Sequence, residues 1–477
     1  MSDDFSNLDA TAQAQLVASG QVTPLELVDA AIARIERFDR RINAVVERQF
    51  EQARARARGE LPDGPFRGVP FLLKDLANGA EKGSRHTYGS RLLAQHIAHY
   101  DSELVRRFRA AGLIFIGRSN TPEFGIPPTT EPALFGPCHN PWNLKHSTGG
   151  SSGGAAAAVA ARLVPFAHGS DAGGSIRIPA SCCGVFGFKP TRGRNPVGPK
   201  LGESVAGLAT DHCCSISVRD SAALLDATSG PDVGAPYAAP HHVRPFAREI
   251  DAPHRKLRIG VMHMPLNGAP VHEDCLAAVD SAAALCRELG HQVSNEHPTL
   301  ANAASFLDAF GKVYAVMAAL NVEHAESLIG RVAKPRELEP ITRRLAAKGR
   351  SLSATHFVQA TRTLHAASRE IAHFFVDHDV LLSPTLAQPP VAIGELRYPA
   401  RDPLPGFIRA AHYAAFTPLF NATGQPAMSV PLYWSAAGLP IGVQFAGRFG
   451  DDATLFRLAA ELERARAWAG CIPPLIA

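Results

Sequence analysis

The spacing of apolar positions changes several times along the 477-residue chain, and each change predicts a different kind of element. Over roughly the first 60 residues apolar side chains recur at three- and four-residue intervals, the helical period. Asp9 can cap a first helix that stops at Gly20. Thr23, Pro24 and Glu26 then supply a cap, a first-turn proline and a capping-box partner for a second helix reaching about Val46. From Gly68 to about Thr228 the texture becomes short apolar runs, glycine turns and small helices. The pattern 101–111 reads as a helix that ends at Gly112 and feeds a buried strand, 113–117, which is the alternation of a wound α/β sheet.

Five prolines and the pair His241 and His242 crowd the stretch from Pro231 to Pro253, which reads as a surface connection and the best candidate boundary. Beyond it, 257–262 is strand-like, 272–289 is a helix closed by Gly290, and a helical insertion of roughly a hundred residues runs to Asp377. Short strands follow at 380–382, 427–431 and 441–445, and an amphipathic helix at 452–468. The organisation expected is a helical segment, 1–60, packed on an α/β body, 61–477, with the helical insertion around 300–377.

Composition narrows the function classes. Hydrophobic residues are 46% and charged residues 19%, an ordinary globular balance. The 48 basic and 44 acidic residues give +4 without a basic block, so neither nucleic acid nor an anionic membrane surface is an expected partner. The start, MSDDFSNLDA, is acidic where a secretory leader is basic, and the alanine-rich run 155–167 is broken by Arg162 and Pro165, so no export signal or membrane span is expected. Eight cysteines without a C-x-x-C pair read as reduced thiols in a cytoplasmic protein. The twenty histidines form no H-E-x-x-H or Cys/His ligand set, and no glycine loop is followed by Lys-Ser or Lys-Thr, so no metal, phosphate loop or cofactor is expected.

The unusual chemistry lies in three segments. GGSSGG at 149–154 runs straight into AAAAVAA, unlike a flexible linker. It fits G-x-S-x-G around Ser151, but a nucleophile elbow needs a preceding strand, and 140–146 (NPWNLKH) does not read as one. A second glycine turn, SDAGGSIR at 170–177, places Ser175 24 positions after Ser151, and its glycines let backbone N–H groups converge on one point. The third, VPFLLKDL at 69–76, puts Lys74 in an apolar run, where alone it reads as a lysine snorkelling from a strand end.

Together these segments, with CGVFGFKPT at 183–191, resemble the amidase signature family in order and spacing. FNATGQPAMSVP at 420–431 and GLPIGVQFAG at 438–447 extend the resemblance over nearly the whole chain. It implies a single α/β/α domain around a central mixed sheet and a metal-free Ser-Ser-Lys triad that passes through an acyl-enzyme. By position, Ser175 is then the nucleophile, Ser151 the bridging serine on a cis peptide bond after Gly150, and Lys74 the base. The N–H groups of Ala172, Gly173 and Gly174, with Ser175 beside them, are the implied oxyanion hole, and Ser152, Asp171 and Arg177 the implied braces. Ser170 stands where the family usually has threonine.

The chemistry fits. A serine hydroxyl needs a base, no His and Asp pair is placed to supply one, and a lysine serves once burial has made it neutral, an effect Asp75 opposes if its carboxylate points inward. The resemblance implies a small-molecule substrate with an apolar part, and small amides such as aryl amides, carbamates and short amide oligomers all stay open. The stretches 8–73 and 129–144 look closest to the bacterial 6-aminohexanoate cyclic dimer hydrolase group, and Ile126, Pro127, Phe310, Tyr314 and Met317 are candidate pocket walls that read equally well as core. Two other readings stay open, the glutamine-hydrolysing A subunit of a tRNA-dependent amidotransferase and a non-catalytic scaffold. A homodimer is compatible with the sequence.

Overall fold

The computed structural model describes residues 5–253 and 255–476. Eleven strands form one mixed sheet: β1 (Val45–Arg48), β2 (Pro70–Lys74), β3 (Ile114–Ser119), β4 (Phe166–Asp171), β5 (Phe186–Lys189), β6 (Thr210–Ser215), β7 (Arg258–Val261), β8 (Gln292–Ser294), β9 (Val380–Pro384), β10 (Ala427–Trp434) and β11 (Pro440–Gly447). Their order is β1-β3-β2-β4-β6-β5-β10-β11-β9-β7-β8. The pairs β3–β2, β2–β4, β9–β7 and β7–β8 are parallel, and the central run from β4 to β9 is antiparallel. Helices cover the faces, as the α/β/α expectation requires.

Several sequence expectations change here. The second helix has the capping box read from Thr23 and Glu26, but it ends at Ile42, where Asn43 turns left-handed. The next residues form β1, which pairs with β3 at the sheet edge, so the N-terminal segment is not wholly helical. The proline-rich stretch is no boundary, because β7 beyond it joins the same sheet as β6 before it. It also holds a short helix, Phe246–Glu249, whose Phe246 is fully buried beside Phe456. The segment 140–146 is not loop either: Asn143–Ser147 pairs with His139–Asn140 in a small separate hairpin. That strand lies outside the main sheet, so it does not create the strand-to-helix elbow.

The region expected as a helical insertion contains Ala303–Ile329, Pro340–Arg350 and Ala354–Asp377. The first is long and apolar enough to cross a membrane, which the sequence reading did not single out. In the fold it packs on the other two, and at Gly349 a Cβ would stand 2.1 Å from the Ala315 carbonyl oxygen.

The helix Gly153–Ala160 is entirely buried, and its small residues let it press against the sheet. Gly154 donates its N–H to Asn120 O at 3.1 Å, and a Cβ there would fall 2.3 Å from Asn120 N and 2.7 Å from Ala44 O. These are backbone atoms that cannot swing aside. Gly154→Ala should therefore destabilise by at least the upper end of the ~1–3 kcal/mol that overpacking costs. Urea unfolding measures this, and an unchanged midpoint would contradict the packing.

Candidate active site

Because β2 and β4 are parallel neighbours, their C-terminal ends open on the same edge of the sheet, where α/β folds place ligands. That edge brings Lys74, the last residue of β2, beside Ser170 and Asp171, the last residues of β4. The glycine turn after β4 then leads to Ser175 and into the helix Arg177–Cys183. From the other side, the turn before Gly153–Ala160 delivers Ser151, and the Gly150–Ser151 peptide is cis. The two turns are tied directly: Ser152 N donates to Ser175 O at 3.1 Å, and Ser152 Oγ accepts from Ser170 N at 3.2 Å.

Lys74 Nζ lies 2.7 Å from Ser151 Oγ and 2.9 Å from Ser170 Oγ. The side chain is fully buried. Burial pushes its pKa down to about 7 against the opposing pull of Asp171 and Asp211. Asp75, the carboxylate expected to oppose the shift, turns elsewhere. It accepts from Thr87 N at 2.9 Å and from the Thr87 hydroxyl.

Asp171 and Arg177 build the floor of the turn. Arg177 donates Nε and Nη2 to the two carboxylate oxygens of Asp171, each at 2.9 Å, and its remaining donors reach Thr417 O, Gln444 Oε1 and Asn421 Oδ1. Burial alone would raise the Asp171 pKa, but the guanidinium holds it well below the usual carboxylate range. Thr417 and Asn421 brace the turn from outside, Thr417 Oγ1 donating to Gly173 O at 2.6 Å and Asn421 Nδ2 to Asp171 O at 2.9 Å. Sequence reasoning did not name Thr417, Asn421, Gln444 or the Ser170 hydroxyl. The 420–431 and 438–447 segments were the available signal for two of them.

The oxyanion expectation changes at one position. Gly174 N donates to Asp171 Oδ1 at 2.8 Å, so that N–H is spent on holding the turn. The N–H groups of Ala172, Gly173 and Ser175 have no acceptor among the described residues. These three residues are partly exposed, whereas Ser151 is buried, so the turn faces an accessible space.

The expected pocket residues gather on one side. Tyr314 donates its hydroxyl to Ile126 O at 3.1 Å and stacks on Phe310 with ring centroids 6.0 Å apart. A Cβ at Gly173 would sit 3.9 Å from Phe310 Cζ, which sets this helix against the glycine turn. Gly125, at φ +69°, closes the other flank, where a side chain would meet Leu76 at 2.7 Å and Ser151 Oγ at 3.1 Å. Pro127 is buried, and Met317, like Phe310, packs on the cluster around Phe306 and Leu419. Among the described residues no group of three or more His, Cys, Asp or Glu could hold a metal ion.

Residues 26–456 match the family model described as Amidase. The chain belongs to the amidase family. It is 40% identical to the 6-aminohexanoate-cyclic-dimer hydrolase of Paenarthrobacter ureafaciens over 98% of this chain and 97% of the relative. A solved 6-aminohexanoate cyclic dimer hydrolase in complex with substrate overlays with a TM-score of 0.95 at 39% identity, covering 99% of this chain and all of the other. A bacterial aryl acylamidase of the amidase signature enzymes overlays at 0.87 with 28% identity and 97% coverage of both chains. As an amidase the chain is a hydrolase of carbon–nitrogen bonds other than peptide bonds, acting on amides.

Proposed function

We propose that the protein hydrolyses small amides with an apolar portion by a Ser175–Ser151–Lys74 relay, with an ester to Ser175 as the intermediate. The observation that carries the reading is the buried 2.7 Å contact between Lys74 Nζ and Ser151 Oγ, next to the turn that holds Ser175. A neutral amine has two N–H bonds and one lone pair. Donation to Ser170 Oγ occupies an N–H, and the lone pair can take the Ser151 hydroxyl proton as Ser151 takes that of Ser175. Ser175 Oγ then adds to the amide carbonyl, whose oxygen gains charge beside the N–H groups of Ala172, Gly173 and Ser175. The relay runs backward to protonate the leaving amine, and water repeats the sequence on the ester.

Phe310, Tyr314 and Ile126 favour a substrate with an apolar chain or ring, and the two close relatives named for 6-aminohexanoate cyclic dimer point to ω-amino acid amides as its class. The amidotransferase reading has less support. The A subunit from Thermotoga maritima overlays at a TM-score of 0.77 and 29% identity, below the cyclic dimer hydrolase on both measures. Purified protein should open 6-aminohexanoate cyclic dimer to the linear dimer, or release aniline from acyl anilides, without a partner, as read by chromatography of the products. Glutaminase activity that appears only with added partner subunits would reverse the assignment.

A further inference from the structure

Lys74 is faced by titratable groups from two strands. Asp171 and His168 come from β4, and Asp211 and Cys214 from β6. Burial pushes the Cys214 thiol up to about 12, so it stays neutral, and the Asp171 charge is paired with Arg177. Asp211 differs. It is buried, its Oδ2 accepts from Asn78 Nδ2 at 2.6 Å and its Oδ1 faces His168 Nε2 at 3.2 Å. No guanidinium or ammonium bonds to it among the described residues.

The state of His168 follows from its other nitrogen. The peptide N–H of Lys74 donates to His168 Nδ1 at 3.3 Å, and a peptide N–H can only donate. Nδ1 is therefore bare, Nε2 carries the proton, and the ring gives that proton's hydrogen bond to Asp211 as a neutral group. The edge-on ring of Phe108, 5.5 Å away, closes the apolar side. Sheet register makes the arrangement: Ser170, which touches the lysine amine, pairs with Asp211, and His168 lies two residues earlier on the same strand.

We propose that Asp211 and His168 are positioning residues for Lys74. His168 fixes the Lys74 peptide at the end of β2, and the unpaired negative charge of Asp211 keeps the amine basic enough to take the nucleophile's proton under working conditions. A buried lysine without that charge nearby is a weaker base and drives the transfer more slowly. The inference rests on the reading of Lys74 as the base.

The test is the pH profile of kcat/KM on an amide substrate. Asp211→Asn keeps the shape and removes the charge, so the acid limb should move to lower pH by roughly one pH unit, and the plateau should fall several-fold. Asp211→Ser is a second neutral variant should the first not fold, and Asp211→Glu should return the limb to its wild-type position. A purely structural role would lower activity in all three without moving the limb. A wild-type limb that neither neutral variant moves overturns this inference alone. A wild type with no acid limb overturns the lysine base itself.

Discussion

Replacing Ser175 by alanine is expected to lower kcat/KM by roughly 10⁴-fold or more while leaving the melting temperature nearly unchanged. The two halves of that expectation have separate causes. Ser175 is tied into the fold through its carbonyl, which accepts from Ser152 N and which the substitution keeps. Its Oγ has no hydrogen bond among those of the described residues, so removing it leaves no buried group unpaired. A serine-directed fluorophosphonate should label the wild type at Ser175, located by mass spectrometry of the digest. Label on Ser151 or Ser152 instead, or turnover by the alanine variant above a few per cent, would overturn the assignment.

What could be read in the sequence divides by the range of the interaction. The second helix announces itself through Thr23, Pro24 and Glu26, because a capping box is made within four residues. Its end at Asn43 and the four-residue β1 that follows do not, since β1 exists only through pairing with β3 some seventy residues later. The hairpin at Asn143–Ser147 escaped for a similar reason: NLKH has no alternation to show, and its partner strand is two residues long. At the site, Lys74, Ser151 and Ser175 were legible through motif resemblance, not through local physics. Asp211 carries no motif, and only the β4–β6 register reveals that it shares an edge with Lys74. The Gly174 N–H shows the limit of reading a glycine turn as a cup of free donors, since it donates to Asp171 and holds the turn.

The pH dependence of activity and of stability should separate in Lys74 variants. The base works only when neutral, and burial sets its pKa at about 7, so kcat/KM should rise with pH through that value and stay high in the alkaline range. Lys74→Ala should remove the limb and cost several orders of magnitude. Lys74→Arg should not rescue it, because a guanidinium stays protonated and has no lone pair to offer Ser151. Stability runs in the same direction but over a higher window. Between about 7 and the lysine's ordinary 10.5 the unfolded chain binds a proton that the folded chain does not, so this group lowers wild-type stability as pH falls through that window. Lys74→Met, apolar and similar in length, removes the penalty. It should be inactive yet more stable than the wild type at pH 7, by on the order of a few kcal/mol, and the gain should shrink as pH approaches 10.5. Paired kinetic profiles and thermal melts at pH 7 and pH 10 measure both effects. An active arginine variant, an acid-optimal wild type or a methionine-to-wild-type stability difference that does not change between pH 7 and pH 10 would each refute a buried neutral lysine as the base.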